Sequence, residues 1–419
     1  MSNVTTSPTD KRPSILFVDD EDNILNGLKR LLRSKRDDWN MDFATSGEEA
    51  LRKLREVPAD VVVSDMRMPQ MDGAELLTQV QRLYPDTVRI ILSGYANREA
   101  VLRTIGPSHR YLAKPCPQDV LIGTIDKSLE LRTRLGSDDL KRSVAGLTHL
   151  PTLPKLYNDI LKELASEFAS ADSLAKVVER DIAVSAQLLK ITNSAYFGTS
   201  RGVTTIKQAI QYLGFENVRA VVLLAGVFQQ FHNLSPRAAE TATTLSKRSL
   251  ILGVLSRRIA EHQKYDTRIV DDAFSAGLLS HIGTLLLLAN ASDAFRKAMW
   301  EVDHGAHIEA AERSVFGASH ADLGAYLLNL WGFNHDIVDA VAFHHHPSEA
   351  GTFHNEVLTA VYAAQYLLKP GKPRSGAVAE ALDTTYLDFA GVSDQVPAWR
   401  KMCAELQKEA SENGPGPLH

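Results

Sequence analysis

The hydrophobic pattern changes its period once along this chain, and that change restricts the fold more than any single residue does. Over residues 14–135, short apolar runs alternate with amphipathic stretches. SILFV (Ser14–Val18), MDFAT (Met41–Thr45), DVVVS (Asp60–Ser64), VRIILS (Val88–Ser93) and RYLA (Arg110–Ala113) read as strands. Asn23–Leu32, Gly47–Arg55, Ala74–Leu83 and Gln118–Leu135 read as helices. Strands that alternate with helices imply a parallel, doubly wound sheet with right-handed crossovers. Functional groups are then expected at the carboxyl ends of the strands. Beyond His149 the strand signal fades. Amphipathic helical patterns recur from Pro154–Glu167 to His354–Leu368, among them one long stretch at Asp271–Asn290, and short polar turns join them. That pattern implies a compact all-α domain.

Composition narrows the function. A chain of 419 residues is long enough for two or three domains. With 44% hydrophobic and 23% charged residues, it is neither disordered nor collagen-like. A formal charge of -5 argues against wholesale nucleic-acid binding. The two cysteines, Cys116 and Cys403, lie far apart and outside any CxxC, which excludes a disulfide scaffold and fits a reducing compartment. The first thirteen residues lack the apolar core of a signal peptide. Apolar runs such as Val218–Phe228 are too short for a bilayer, so a cytoplasmic location without membrane insertion is expected.

Three carboxylates fall at the ends of expected strands: Asp19 and Asp20 after the first, Asp65 after the third. Ser93 ends the fourth, and Lys114 ends the fifth. A doubly wound sheet brings these ends together. Clustered carboxylates repel one another, and a hard divalent cation such as Mg²⁺ relieves that repulsion. A lysine and a hydroxyl beside it suit a phosphoryl group. The motifs VDDE (Val18–Glu21), SDMRMPQMDG (Ser64–Gly73), LSGYAN (Leu92–Asn97) and YLAKP (Tyr111–Pro115) make residues 14–135 resemble the receiver domain of two-component response regulators, a flavodoxin-like fold. The resemblance implies that Asp65 is the phosphoacceptor and attacks a phosphohistidine. It implies Mg²⁺ held directly by Asp20 and Asp65, through water by Asp19, and by the backbone carbonyl of Arg67. It also implies that Ser93 and Lys114 hold phosphoryl oxygens and that Tyr111 is the aromatic switch residue. Cys116 reads as a packing residue.

A second resemblance runs from about residue 145 to 370. It is carried by LPTLPKLYNDILKEL (Leu150–Leu164), by the NSA of Asn193–Ala195, by GLLSHIG (Gly277–Gly283) and by FGASHADLGAYLLNLWGFNHDIVDAVAFHHHP (Phe316–Pro347). These segments resemble the HDOD domain, an output module related to HD-type metal phosphohydrolases. The HD fold implies ligands at a first His, a His-Asp doublet and a distant Asp. Placed by eye, those positions hold Arg248, Ser280-His281 and Gln365, so the metal centre is expected to be lost and no HDOD cofactor is expected. The GYP signature of the related cyclic dinucleotide phosphodiesterases is absent from the sequence.

Histidine is abundant: eight of the 14 lie between His304 and His354. Within a helix, His344, His345 and His346 would be spread by about 100° each and could not share one site. The simpler reading sets them at a helix end, favourable against the helix dipole. His304, His307 and His320 show no supporting carboxylate pattern in the sequence and read as surface or packing residues. Arg248, Arg257 and Arg258 could form a basic patch for a nucleotide or nucleic acid, but a solvated helix face is simpler.

The resulting expectation is a flexible arm (1–13), a receiver (14–135), a linker (136–148), an HDOD output domain (149–370) and a C-terminal extension (371–419) whose end is disordered. A histidine kinase or phosphotransfer protein would phosphorylate Asp65. The catalytically inert output would then engage a downstream protein, with a homodimer as one way to do so. The competing expectation is a divergent HD phosphodiesterase acting on cyclic dinucleotides or nucleotides, with His281 in its centre.

Overall fold

The computed structural model describes residues 12–84, 86–94, 110–135, parts of 155–192, 203–229, 236–290, 292–330, 333–351, 355–368 and 381–413. The expected linker and most of the N-terminal arm lie outside these residues. The chain forms two compact units that divide near Thr148.

The first unit is a five-stranded parallel sheet: β1 (Ser14–Val18), β2 (Asn40–Ala44), β3 (Val61–Asp65), β4 (Val88–Gly94) and β5 (Arg110–Lys114). The strand order is β2-β1-β3-β4-β5, so the order reverses between β1 and β3. Ligands settle at such a switch point in open α/β sheets. Among the described residues, four helices accompany the sheet: α1 (Asp22–Leu31), α2 (Gly47–Glu56), α3 (Gly73–Leu83) and α4 (Gln118–Arg134). β3 shows why an unbroken Val run marks a central strand. Val61, Val62, Val63 and Ser64 are all buried, with helices covering both sheet faces. Local signals fix the helix starts. Ser46 accepts the backbone N–H of Glu49 at 3.2 Å, and Asp72 accepts that of Glu75 at 2.9 Å.

The second unit is helical throughout its described residues. Its helices are α5 (Lys155–Leu164), α6 (Ala171–Val178), α7 (Ile206–Leu213), α8 (Phe215–Gln229), α9 (Pro236–His262), α10 (Thr267–Leu279), α11 (Ile282–Asn290), α12 (Ser292–Asp303), α13 (Ile308–Phe316), α14 (His320–Leu330), α15 (His335–Phe343), α16 (Glu356–Leu367), α17 (Thr384–Phe389) and α18 (Val396–Asn413). Capping boxes open α6, between Ser170 and Ser173, and α7, between Thr205 and Gln208. The axis of the unit is α10, buried from Asp272 to Leu279 and packed against α8, α9, α15 and α16.

Two sequence expectations need correction. The stretch Asp271–Asn290 is two helices, with Ser280 and His281 at the break. The Ser280 hydroxyl turns back to the Gly277 carbonyl at 2.9 Å. Past the break, an added Cβ on Gly283 would collide with the backbone carbonyl of His320. The new helix direction is therefore set by a backbone contact that periodicity does not register. The expected extension, in turn, carries α17 and α18. α18 docks on α9 and α16 and buries Trp399, Cys403 and Leu406. It stays helical to Asn413, into the stretch expected to be disordered; residues 414–419 lie outside the described residues.

No single helix among the described residues is long and apolar enough to cross a membrane.

Candidate functional site: an acidic receiver pocket and a buried histidine cluster

At the carboxyl edge of the first unit, β1 ends against Asp19 and β3 ends in Asp65. Lys114, at the end of β5, reaches both. Its Nζ donates to Asp19 Oδ2 at 2.7 Å and makes a very short contact with Asp65 Oδ1. Asp65 Oδ2 also accepts the backbone N–H of Arg67, and Asp19 Oδ1 accepts that of Glu21 at 3.0 Å. Burial alone would lower the Lys114 ammonium, but hydrogen bonds to Asp19 and Asp65, with their charges, outweigh it and hold the pKa above its ordinary value. Asp19 is buried, while Asp20 is exposed beside it.

The loop after β3 is held close. Gly73 N–H donates to the Met66 carbonyl at 3.0 Å, and any Cβ at Gly73 would run into the Asp65 backbone oxygen. Glycine is the residue that lets α3 begin directly behind the carboxylate. The structure thus brings Asp19, Asp65 and Lys114 together from residues 95 and 49 positions apart. The backbones of Ser93 and Tyr111 lie in β4 and β5, but their side chains fall outside the described residues. Asp19, Asp20, Asp65 and the Arg67 carbonyl are hard oxygen donors on one sheet edge. That chemistry fits Mg²⁺.

In the helical unit, the Arg248 Nη2 lies 3.4 Å from the Gln365 Oε1. The two residues expected at the outer HD ligand positions are thus joined by a guanidinium–amide contact. Burial lowers the Arg248 pKa.

The histidines depart from the sequence reading. His281, His320, His344 and His345 are all buried, and each offers a ring nitrogen within 4.8 Å of the others. His281 stacks on His320 with centroids 5.4 Å apart and planes 8° apart. His344, the C-cap of α15, and His345 both enter this group, while His346 points to another. His320 does have a carboxylate: its Nδ1 lies 2.7 Å from the Oε2 of fully buried Glu312. Burial works against a charged His320, but Glu312 more than offsets it and raises the His320 pKa. His281 goes the other way, driven well below its ordinary value by burial and then by His320, His344 and Arg248. A second group joins His307, Glu309 and His346, with His346 Nε2 3.0 Å from Glu309 Oε2.

The signals that could have found this cluster are the glycines of SHIG and HADLG. Gly283 and Gly324 let α11 and α14 cross at backbone contact, which is what stacks His281 on His320.

Two family models match the chain: the response regulator receiver domain over residues 15–126 and the HDOD domain over residues 150–347. The chain belongs to the response regulators. Among curated relatives, this response regulator is 32% identical to the hydrogenase transcriptional regulatory protein HoxA of Cupriavidus necator, over 29% of its own chain and 25% of HoxA. It is 36% identical to the transcriptional regulatory protein GlrR of Escherichia coli, over 29% of its own chain and 27% of GlrR. The response regulator thus spans about a quarter of the length of these relatives, within its receiver. The structure of an HDOD domain protein of unknown function from Geobacter sulfurreducens covers 67% of this chain and 96% of its own, at 22% identity and a TM-score of 0.52. That likeness establishes the helical fold.

Proposed function

We propose that this response regulator is phosphorylated on Asp65 by a histidine kinase or phosphotransfer protein in the cytoplasm, and that its helical unit then changes its engagement of a downstream protein, as a monomer or a homodimer. The observation that carries the reading is the Asp65 carboxylate at a strand end, tied to Lys114 and beside Asp19. In the reaction a carboxylate oxygen of Asp65 attacks phosphorus. The P–N bond to the donor imidazole breaks, and its electron pair leaves on that nitrogen, which is protonated. Lys114, already cationic, meets the charge gathering on the phosphoryl oxygens. Ser93 takes a second phosphoryl oxygen, and Tyr111 responds to the new occupancy as the switch. Asp20, Asp65 and the Arg67 carbonyl, with Asp19 through water, would hold a divalent cation, which would supply positive charge against the repulsion between the two anions. The acyl phosphate then favours one of two receiver states.

An output that works by binding rather than hydrolysis is supported by Arg248 and Gln365 at former ligand positions. Incubation with acetyl phosphate and Mg²⁺ tests the reading: Asp65 should be labelled in the wild type and Asp65→Asn should stay unlabelled. Equal labelling of both proteins defeats it. A pull-down comparing the two, with and without phosphodonor, then identifies the partner. One observation favours a second reading, hydrolysis of a phosphodiester by the helical unit: the convergence of His281, His320, His344 and His345. Turnover of a cyclic dinucleotide that disappears in His281→Ala would establish it.

A further inference from the structure

We infer that His281, His320, His344 and His345 form a closed, four-coordinate site for a first-row transition metal, which staples α11 and α14 to the end of α15. The inference is independent of phosphorylation at Asp65.

Hydrogen-bond accounting assigns the tautomers. The Ser280 hydroxyl has one hydrogen, and it goes to the Gly277 carbonyl at 2.9 Å. The His281 Nδ1, 3.0 Å from that hydroxyl oxygen, must therefore carry the proton it shares with it. His344 Nδ1 lies 2.8 Å from the Val341 carbonyl, an acceptor only, so it too is protonated. His320 Nδ1 faces the Glu312 carboxylate and is protonated for the same reason. Three rings thus have their Nδ1–H fixed by an acceptor, which leaves Nε2 as the nitrogen available to a ligand. Metal-binding histidines show this arrangement, and the carboxylate behind His320 is its strongest form.

The spacing agrees. Ligand nitrogens at about 2.0–2.1 Å from a tetrahedral zinc are about 3.3–3.4 Å from one another. His320 Nε2 and His345 Nε2 stand 3.3 Å apart. Imidazole nitrogens select Zn²⁺, Co²⁺, Ni²⁺ or Fe²⁺ over Mg²⁺ or Ca²⁺. Four protein ligands leave no open position for a substrate, so the site is structural.

Charge does not oppose the assignment. Arg248 acts on His281 and Arg313 pairs with Asp322, but Glu309, Glu312 and Asp322 all act on His320. The competing arrangement is a proton shared between His320 and His345, with no metal. It needs the same 3.3 Å contact.

Cobalt distinguishes the two. Full-length protein without a polyhistidine tag is stripped with chelator and titrated with Co²⁺. One equivalent should bind and produce the intense visible bands of four-coordinate cobalt, which Zn²⁺ displaces. His344→Ala should lose the bands. Glu312→Gln keeps all four ligands and should weaken Co²⁺ binding about 10–100-fold. His346→Ala, altered in the neighbouring group, should bind as the wild type does. Should His344→Ala lose its helical circular dichroism, the Glu312→Gln titration decides alone. The inference is overturned if folded wild type binds no stoichiometric Co²⁺, gives only the weak bands of six-coordinate cobalt, or loses the signal in His346→Ala.

Discussion

Replacing Asp272 with Asn should make the helical unit more stable at neutral pH, although it removes a charge that is hydrogen-bonded in the native state. Asp272 is buried on α10, where it accepts from Asn334 Nδ2 at 3.0 Å and from Arg268 Nη1 at 3.3 Å. Burial penalises the carboxylate more than these partners and Arg268 relieve it, and Asp336 adds repulsion, so its pKa is pushed up from 3.8 to about 6. The folded protein therefore binds a proton that the unfolded chain releases between those two values. The associated stability is fully present below about pH 4 and is lost as pH rises through about 6. A shift of about two pH units corresponds to about 3 kcal/mol, an upper figure because partners can rearrange. Asn does not titrate. The stability of Asp272→Asn minus that of wild type should thus rise by up to about 3 kcal/mol between pH 4 and pH 7.5. Urea unfolding of both proteins across that range measures it, and taking the difference cancels every other titrating group. A difference independent of pH, or one falling with pH, would refute the burial argument.

Further outcomes follow from single contacts. Lys114→Ala should slow phosphorylation by about 10²-fold, the usual loss when one preorganised charge donor is removed; an unchanged labelling rate would contradict the role of its contacts with Asp19 and Asp65. Gly73→Ala drives a Cβ into the Asp65 backbone oxygen, so about 1–3 kcal/mol of receiver stability should go, along with much of the phosphorylation. Gly283→Ala should separate α11 from α14 and cost a similar amount, with Co²⁺ binding lost as His281 leaves His320. Trp399→Ala, in a fully buried position on α18, should cost about 3–5 kcal/mol in denaturant melts.

The receiver pocket was legible because a parallel sheet turns sequence into geometry directly: each strand end is followed by a loop on the same edge. Asp19, Asp65 and Lys114 needed only correct strand boundaries to be placed together. The histidine cluster offered no such rule. It draws on the break after α10, the start of α14 and the end of α15, and its members meet because two glycine-bearing helices cross. The triplet does not share one site, as expected of adjacent residues at a helix end: His346 joins His307 and Glu309, while His344 and His345 enter the buried group. Glu312 was overlooked because it lies eight residues from His320, on the preceding helix. Arg248 and Gln365 were matched to the HD pattern by eye, and the structure sets their side chains 3.4 Å apart.

The position of α16 and α18 has a practical corollary. The HDOD match stops at residue 347, but α16 begins at Glu356 and lies against both α9 and α10. Its inner residues, Val357 to Ala364, are buried. A fragment cut where the sequence family ends would bare the apolar flank of the central helix, and such flanks invite self-association. Behaviour seen in a fragment of that kind, dimerisation above all, would then report the cut surface. Transplanting this output onto another receiver should carry the chain through to α18.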